Sequence, residues 1–226
     1  MEIGLSSIKN GIERRIKSRI LESSEVKKIE ANIGLNNPIT AMATSELGET
    51  SVANVPVNRI AILGAESSGK SELAQALAAH FETLWVPEYL REFVEVGGRV
   101  PVSEDQLLIA KTQLARENLA AANAHSWLFC DTTPLMTALY SRHYFDEIDP
   151  ELVELELAHN YQFTIVTAPD FPWEPDGLLR ESPQVRQKVH EDLLALLDER
   201  QIPFMLVEGS LEARLQQVQF ALDFLS

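Results

Sequence analysis

From residue 58 onward, apolar and polar positions fall into two alternating patterns. Short unbroken apolar runs occur at Arg59-Ile60-Ala61-Ile62-Leu63, Thr83-Leu84-Trp85-Val86, Trp127-Leu128-Phe129-Cys130, Phe163-Thr164-Ile165-Val166 and Phe204-Met205-Leu206-Val207. These predict five buried strands. Helical spacing fills the intervals. Leu73, Leu77 and Phe81, with Ala74, Ala76, Ala78 and Ala79 between them, predict a helix after the first strand. Further helices are expected near 103–124, 134–144, 151–159, 183–200 and 211–225. Ser103 and Gln106 have the spacing of a capping box at the start of the longest. Residues 168–182, rich in Pro and Asp, read as a loop. Strands alternating with helices imply a doubly wound α/β fold with a five-stranded parallel sheet.

The first 57 residues lack this alternation. Within 1–31, Ile8, Ile12, Ile16 and Ile20 recur every four residues among Arg14, Arg15, Lys17, Arg19, Lys27 and Lys28. An amphipathic, locally basic helical extension is expected. It either docks a protein partner or an anionic surface, or rests as a solvated extension; glutamates interrupting the basic face favour the second. Residues 32–57, rich in Asn, Ser, Thr, Gly and Pro, read as a flexible linker. The domain proper is 58–226, and translation from Met42 would still encode all of it.

Charge sharpens this division. Residues 1–57 hold seven Lys/Arg and seven Glu, so the whole formal charge of −15 falls on the domain. Such an acidic body argues against nucleic acid as partner. The single cysteine, Cys130, excludes an internal disulfide framework. With no apolar run long enough for a membrane span and no secretion-signal core, the expected location is the cytoplasm.

The first strand runs straight into Gly64-Ala65-Glu66-Ser67-Ser68-Gly69-Lys70-Ser71, and a helix follows. This fits G-x-x-x-x-G-K-[ST], the phosphate-binding loop, in its required strand–loop–helix setting. Gly64 and Gly69 free the backbone so that successive N–H groups curl around an anion. The helix N-terminus adds its positive end. Lys70 supplies charge for the β and γ phosphates, and the Ser71 hydroxyl can ligate magnesium. Phosphate-loop residues Glu66, Ser67 and Ser68 complete the expected ATP cradle.

Other candidates lie where strands end. Asp131 closes an apolar strand, the place of a magnesium-holding acid in phosphate-loop proteins, although many such acids only cap a helix. Glu88, Tyr89 and Arg91 follow the second strand. Glu88 and Arg91, three apart, share a face if the segment is helical; they then serve a substrate or form a surface ion pair. Arg180, in the irregular stretch before a helix, can offset charge on a migrating phosphoryl group, whereas Arg186 is expected to decorate the exposed face of its helix. Trp173, Tyr89 and Tyr140 are candidates for stacking on a ring, and Trp85 reads as core. The histidines show no metal-ligand spacing.

Gly64–Ser71, Pro87-Glu88-Tyr89-Leu90-Arg91-Glu92-Phe93, Phe129-Cys130-Asp131-Thr132-Thr133 and Asp176-Gly177-Leu178-Leu179-Arg180 together resemble the ribosylnicotinamide kinase domain of NadR and its P-loop relatives. The order and spacing match across about 58–226. The resemblance implies a P-loop NTPase fold of nucleoside or nucleotide kinase type, with ATP and Mg2+. The implied reaction is phosphorylation of the ribose 5′-hydroxyl of nicotinamide riboside to give nicotinamide mononucleotide. It places Glu88, Tyr89, Arg91 and Asp131 at the substrate, Ser71 and Asp131 at the metal, and Arg180 in a lid. Lys70, Asp131, Glu88 and Arg180 become the expected catalytic residues. Two departures stand out: the family's D-T-D reads Asp131-Thr132-Thr133, and Pro87 replaces a tryptophan.

Two functional readings follow. The first is a small-molecule kinase in which either Asp131 or Glu88 orients or deprotonates the substrate hydroxyl. The second is a nucleotide-responsive binding protein whose N-terminal helix is the output, or a kinase for another nucleoside-like substrate. A GTP switch is disfavoured, since no N-K-x-D motif occurs.

Overall fold

Strand β1 (Asn58–Leu63) is covered on both faces, which is why its sequence reads as an unbroken apolar run. The structure, a computed structural model, describes residues 57–173 and 182–223. After β1 come α1 (Lys70–His80), β2 (Leu84–Val86), α2 (Tyr89–Gly97), α3 (Ser103–Ala121), β3 (Trp127–Asp131) and α4 (Pro134–Tyr144). Then follow α5 (Pro150–Ala158), β4 (Phe163–Thr167), α6 (Pro183–Glu199), β5 (Phe204–Val207) and α7 (Leu211–Asp223). The chain divides into two units, Met1–Asn54 and Val55–Ser226. The predicted helix over 1–31 and nearly all of the predicted linker lie outside the described residues, as do Arg180 and its loop neighbours 174–181.

The five strands form one parallel sheet in the order β2-β3-β1-β4-β5. The chain winds to one side of β1 for β2 and β3, then to the other for β4 and β5. The reversal puts a crevice at the carboxyl ends of β1, β3 and β4, where open α/β sheets bind ligands. The two-residue strand period sorts the core into layers. Ile60 and Ile62 pack with Leu73 and Leu77 of α1 and with Val218 and Leu222 of α7. Ala61 and Leu63 pack with Leu135 and Leu139 of α4 and with Leu193 and Leu197 of α6. Leu128 and Cys130 of β3 face a smaller cluster with Val86, closed by Ala120 and Ala121. Among the described residues, no helix is long and apolar enough to cross a membrane.

Two sequence expectations are corrected. Ser103 and Gln106 form no capping box at α3, because the N-cap falls one residue earlier. Val102 is the N-cap, its N–H donates to Asp105 Oδ2 at 2.8 Å, and Asp105 is held in place by Arg99. A salt-bridged carboxylate at the third helical position wins over a neutral hydroxyl and amide. Gln106 turns inward instead and is buried. Arg186 does not decorate an exposed face: it is buried, and its Nη1 donates to the Phe171 carbonyl at 3.0 Å. Helical spacing alone does not reveal that this turn of α6 lies against the segment leaving β4.

Candidate active site

The loop after β1 turns on its two glycines. Gly64 has φ 150°, and a Cβ there would lie 2.3 Å from Thr167 Oγ1. Gly69 has φ 81°, and a Cβ there would press on the Phe171 ring at 2.9 Å. Ser67 takes the left-handed conformation without being glycine, at φ 55°. The Ser68 hydroxyl donates to the Ala65 carbonyl at 2.7 Å and meets Thr167 Oγ1 at 2.6 Å, fixing the loop to the end of β4. Lys70 Nζ reaches back across the loop to the Ala65 carbonyl at 2.9 Å. The turn, the free left-handed residues and the lysine form an anion cradle at the N-terminus of α1.

Beside the cradle, β3 delivers Asp131, fully buried. The Ser71 hydroxyl donates to Asp131 Oδ2 at 2.5 Å. Thr132, at φ 66° in the left-handed region, directs its hydroxyl to Glu88 Oε1 at 3.2 Å and lies 3.5 Å from Asp131 Oδ1. A β-branched residue in that conformation is strained, and such strain collects at functional sites. Burial, and then the neighbouring Glu88 charge, push the Asp131 carboxyl up to about 6, against the opposing pull of Lys70, the Ser71 hydroxyl and Arg91. Two crowded carboxylates and a hydroxyl, all oxygen donors, suit a hard divalent cation such as Mg2+. Ser71 and Asp131 are the residues that would hold it.

Glu88 is the N-cap residue of α2 and half-buried. It lines an open cleft with Leu90, Gln106, Ile109, Thr132 and Tyr140. Gln113 braces this side: its Oε1 accepts from Tyr89 N at 2.9 Å, and its Nε2 donates to the Asp131 carbonyl at 3.3 Å. The Tyr89 ring is covered by the Arg116 guanidinium, 4.5 Å from its centroid. The Tyr140 hydroxyl donates to Glu66 Oε2 at 3.1 Å. Burial, then the charges of Glu66 and Glu88, hold the Tyr140 phenol well above its ordinary value, so it remains a donor. Thus Glu66, Lys70, Ser71, Glu88 and Asp131 converge. Arg91 is exposed on α2 within electrostatic reach of Asp131.

Sequence reasoning missed two contributors. Thr167 ends β4 as Asp131 ends β3, so a polar residue closing an apolar strand was the available signal. Arg214 gave none. It is 1% exposed although it sits on the last helix. Its guanidinium donates to the Ser68, Ala168 and Gly209 carbonyls and to Asp170, and lies 4.3 Å from the centroid of the Phe171 ring. Arg214 therefore ties the phosphate loop to the ends of β4 and β5.

This sheet order, cradle and acid pair define a phosphate-loop domain of nucleoside and nucleotide kinase architecture. The chain belongs to the AAA domain family, whose model matches residues 59–214. The trifunctional NAD biosynthesis/regulator protein NadR of Escherichia coli is 32% identical over 157 residues, which are 67% of this chain and 38% of that protein. The chain thus spans well under half the length of this relative. A crystal structure of NadR protein in complex with NR covers 76% of this chain and 52% of its own, with 21% identity and a TM-score of 0.66. Deoxyadenosine kinase from M. mycoides covers 74% of this chain and 99% of its own, with 12% identity and a TM-score of 0.54. At those identities the structural likenesses show the fold alone. Together with the sequence match they make this a NadR-like P-loop domain.

Proposed function

We propose that the domain is an ATP-dependent phosphotransferase acting on a small nucleoside, and that the acceptor is the 5′-hydroxyl of nicotinamide riboside. The observation that carries this reading is the meeting of a phosphate cradle with a cleft that carries the Glu88 carboxylate, joined through Thr132 between Asp131 and Glu88. The relationship to NadR, and the NR-bound NadR structure, support the finer assignment of substrate.

The division of labour follows from the contacts. The loop amides and Lys70 hold the polyphosphate. Bound magnesium, held by Ser71 and Asp131, would neutralise phosphate charge. Asp131 is committed to Ser71, whereas Glu88 lines the cleft and, among the described residues, has one side-chain hydrogen bond, from Thr132. This supports Glu88 as the base: it accepts the acceptor hydroxyl proton as the new O–P bond forms and the bond to the ADP leaving group breaks. Arg180 remains the proposed lid arginine. The test is incubation with ATP, magnesium and nicotinamide riboside, with mass spectrometry of the products. Nicotinamide mononucleotide and ADP should form in equal amounts. ATP binding without either product would overturn the assignment of substrate.

A further inference from the structure

Glu66 is an odd residue to find in a phosphate cradle. A carboxylate there repels a polyphosphate, and among the described residues no basic side chain is hydrogen-bonded to it. Its Oε2 accepts from the Tyr140 hydroxyl, and its Oε1 is shielded from solvent with no hydrogen-bond partner. An unpaired buried carboxylate oxygen costs stability unless a ligand supplies a donor or a positive charge. Tyr140 decides where that ligand lies: the ring lines the same cleft as Glu88, on the acceptor side. Glu66 and Glu88 therefore flank one tyrosine at one cleft.

Glu88 lines the cleft, Glu66 stands behind Tyr140, and Asp131 lies within electrostatic reach of Glu88, Lys70 and Arg91. In the loaded site proposed above, Lys70 serves phosphate and Asp131 serves the metal. Arg91 is exposed at the rim. The acceptor then meets two carboxylates around a neutral phenol. We propose that Glu66, positioned by Tyr140, reads the charge of the phosphate acceptor, so that this site prefers a nucleoside with a cationic ring over a neutral one of the same shape. This inference rests on the kinase reading only for which cleft receives the acceptor.

The test is calorimetric titration of the full chain, saturated with a non-hydrolysable ATP analogue and magnesium. The probes are nicotinamide riboside, a pyridinium cation, and its neutral dihydropyridine form. The wild type should bind the cation about tenfold more tightly, the scale of one partly screened charge pair. Glu66→Gln should bring the two affinities within about twofold by weakening the cation alone. Tyr140→Phe, which only frees the carboxylate, should narrow the ratio less and serves as the readout where Glu66→Gln fails to fold. Equal binding of both probes by the wild type, binding of neither, or a parallel loss for both in Glu66→Gln would each overturn the inference. Because binding is the readout, absent turnover would sink the kinase reading while the affinity ratio still decides this one.

Discussion

Among the described residues, Lys70 makes one hydrogen bond, to a carbonyl of its own loop, and is partly exposed. Its role is therefore separable from folding. Lys70→Ala should cut ATP-dependent turnover by about 10²-fold or more, the scale of losing one preorganised charge donor. Melting temperature and circular dichroism should stay near those of the wild type. Glu117 is the opposite case, remote from the chemistry and fully buried. Its carboxylate accepts from the Tyr161 hydroxyl at 2.8 Å, has Arg59 at 3.8 Å and neighbours the Cys130 thiol. Burial dominates and raises its pKa to about 7. A raised acid favours the protonated folded state, so its stabilising contribution is complete below its ordinary value of 4.5 and disappears as pH rises through about 7. Glu117→Gln should therefore gain melting temperature relative to the wild type as pH goes from 5 to 8. A constant difference across that range would refute the assignment. At this scale the sequence was legible where chemistry is local. The G-x-x-x-x-G-K-S loop and the strand-ending Asp131 announce themselves, whereas Glu117 and Arg214 reveal their partners only after folding.

At the scale of elements, the central strands β1, β3 and β4 were readable because they are covered on both faces, leaving largely apolar runs. Helix α2 was less so. Its sequence supports a helix or an extended loop, and packing decides, through Gln113 on the Tyr89 amide and Arg116 on Glu92 and the Tyr89 ring. The pairing of α7 with the phosphate loop is of the same non-local kind. Arg214→Met should weaken ATP binding by about tenfold, since three carbonyls and Asp170 lose a charged donor. Arg214→Lys should not restore it, because a single ammonium cannot replace a planar fork serving several acceptors. Titration with an ATP analogue, beside a thermal melt, checks both variants. Full rescue by lysine would show that charge alone matters there.

At the scale of the whole molecule, the chain divides at about residue 54, and every described feature of the site lies on the later unit. A fragment comprising residues 55–226 should unfold cooperatively and bind the ATP analogue with an affinity within about threefold of the full chain's, as read by calorimetry. Loss of binding would mean that the first unit contributes to the site. The sheet order has a further consequence, for synthesis. The phosphate loop is synthesised before the strands that flank β1, which come about 65 and 100 residues later, and Arg214 follows Ser68 by 146. A nascent chain halted before α7 thus carries the whole signature motif without the residue that braces it. Nucleotide capture should accordingly report the synthesis of α7 rather than the appearance of the motif.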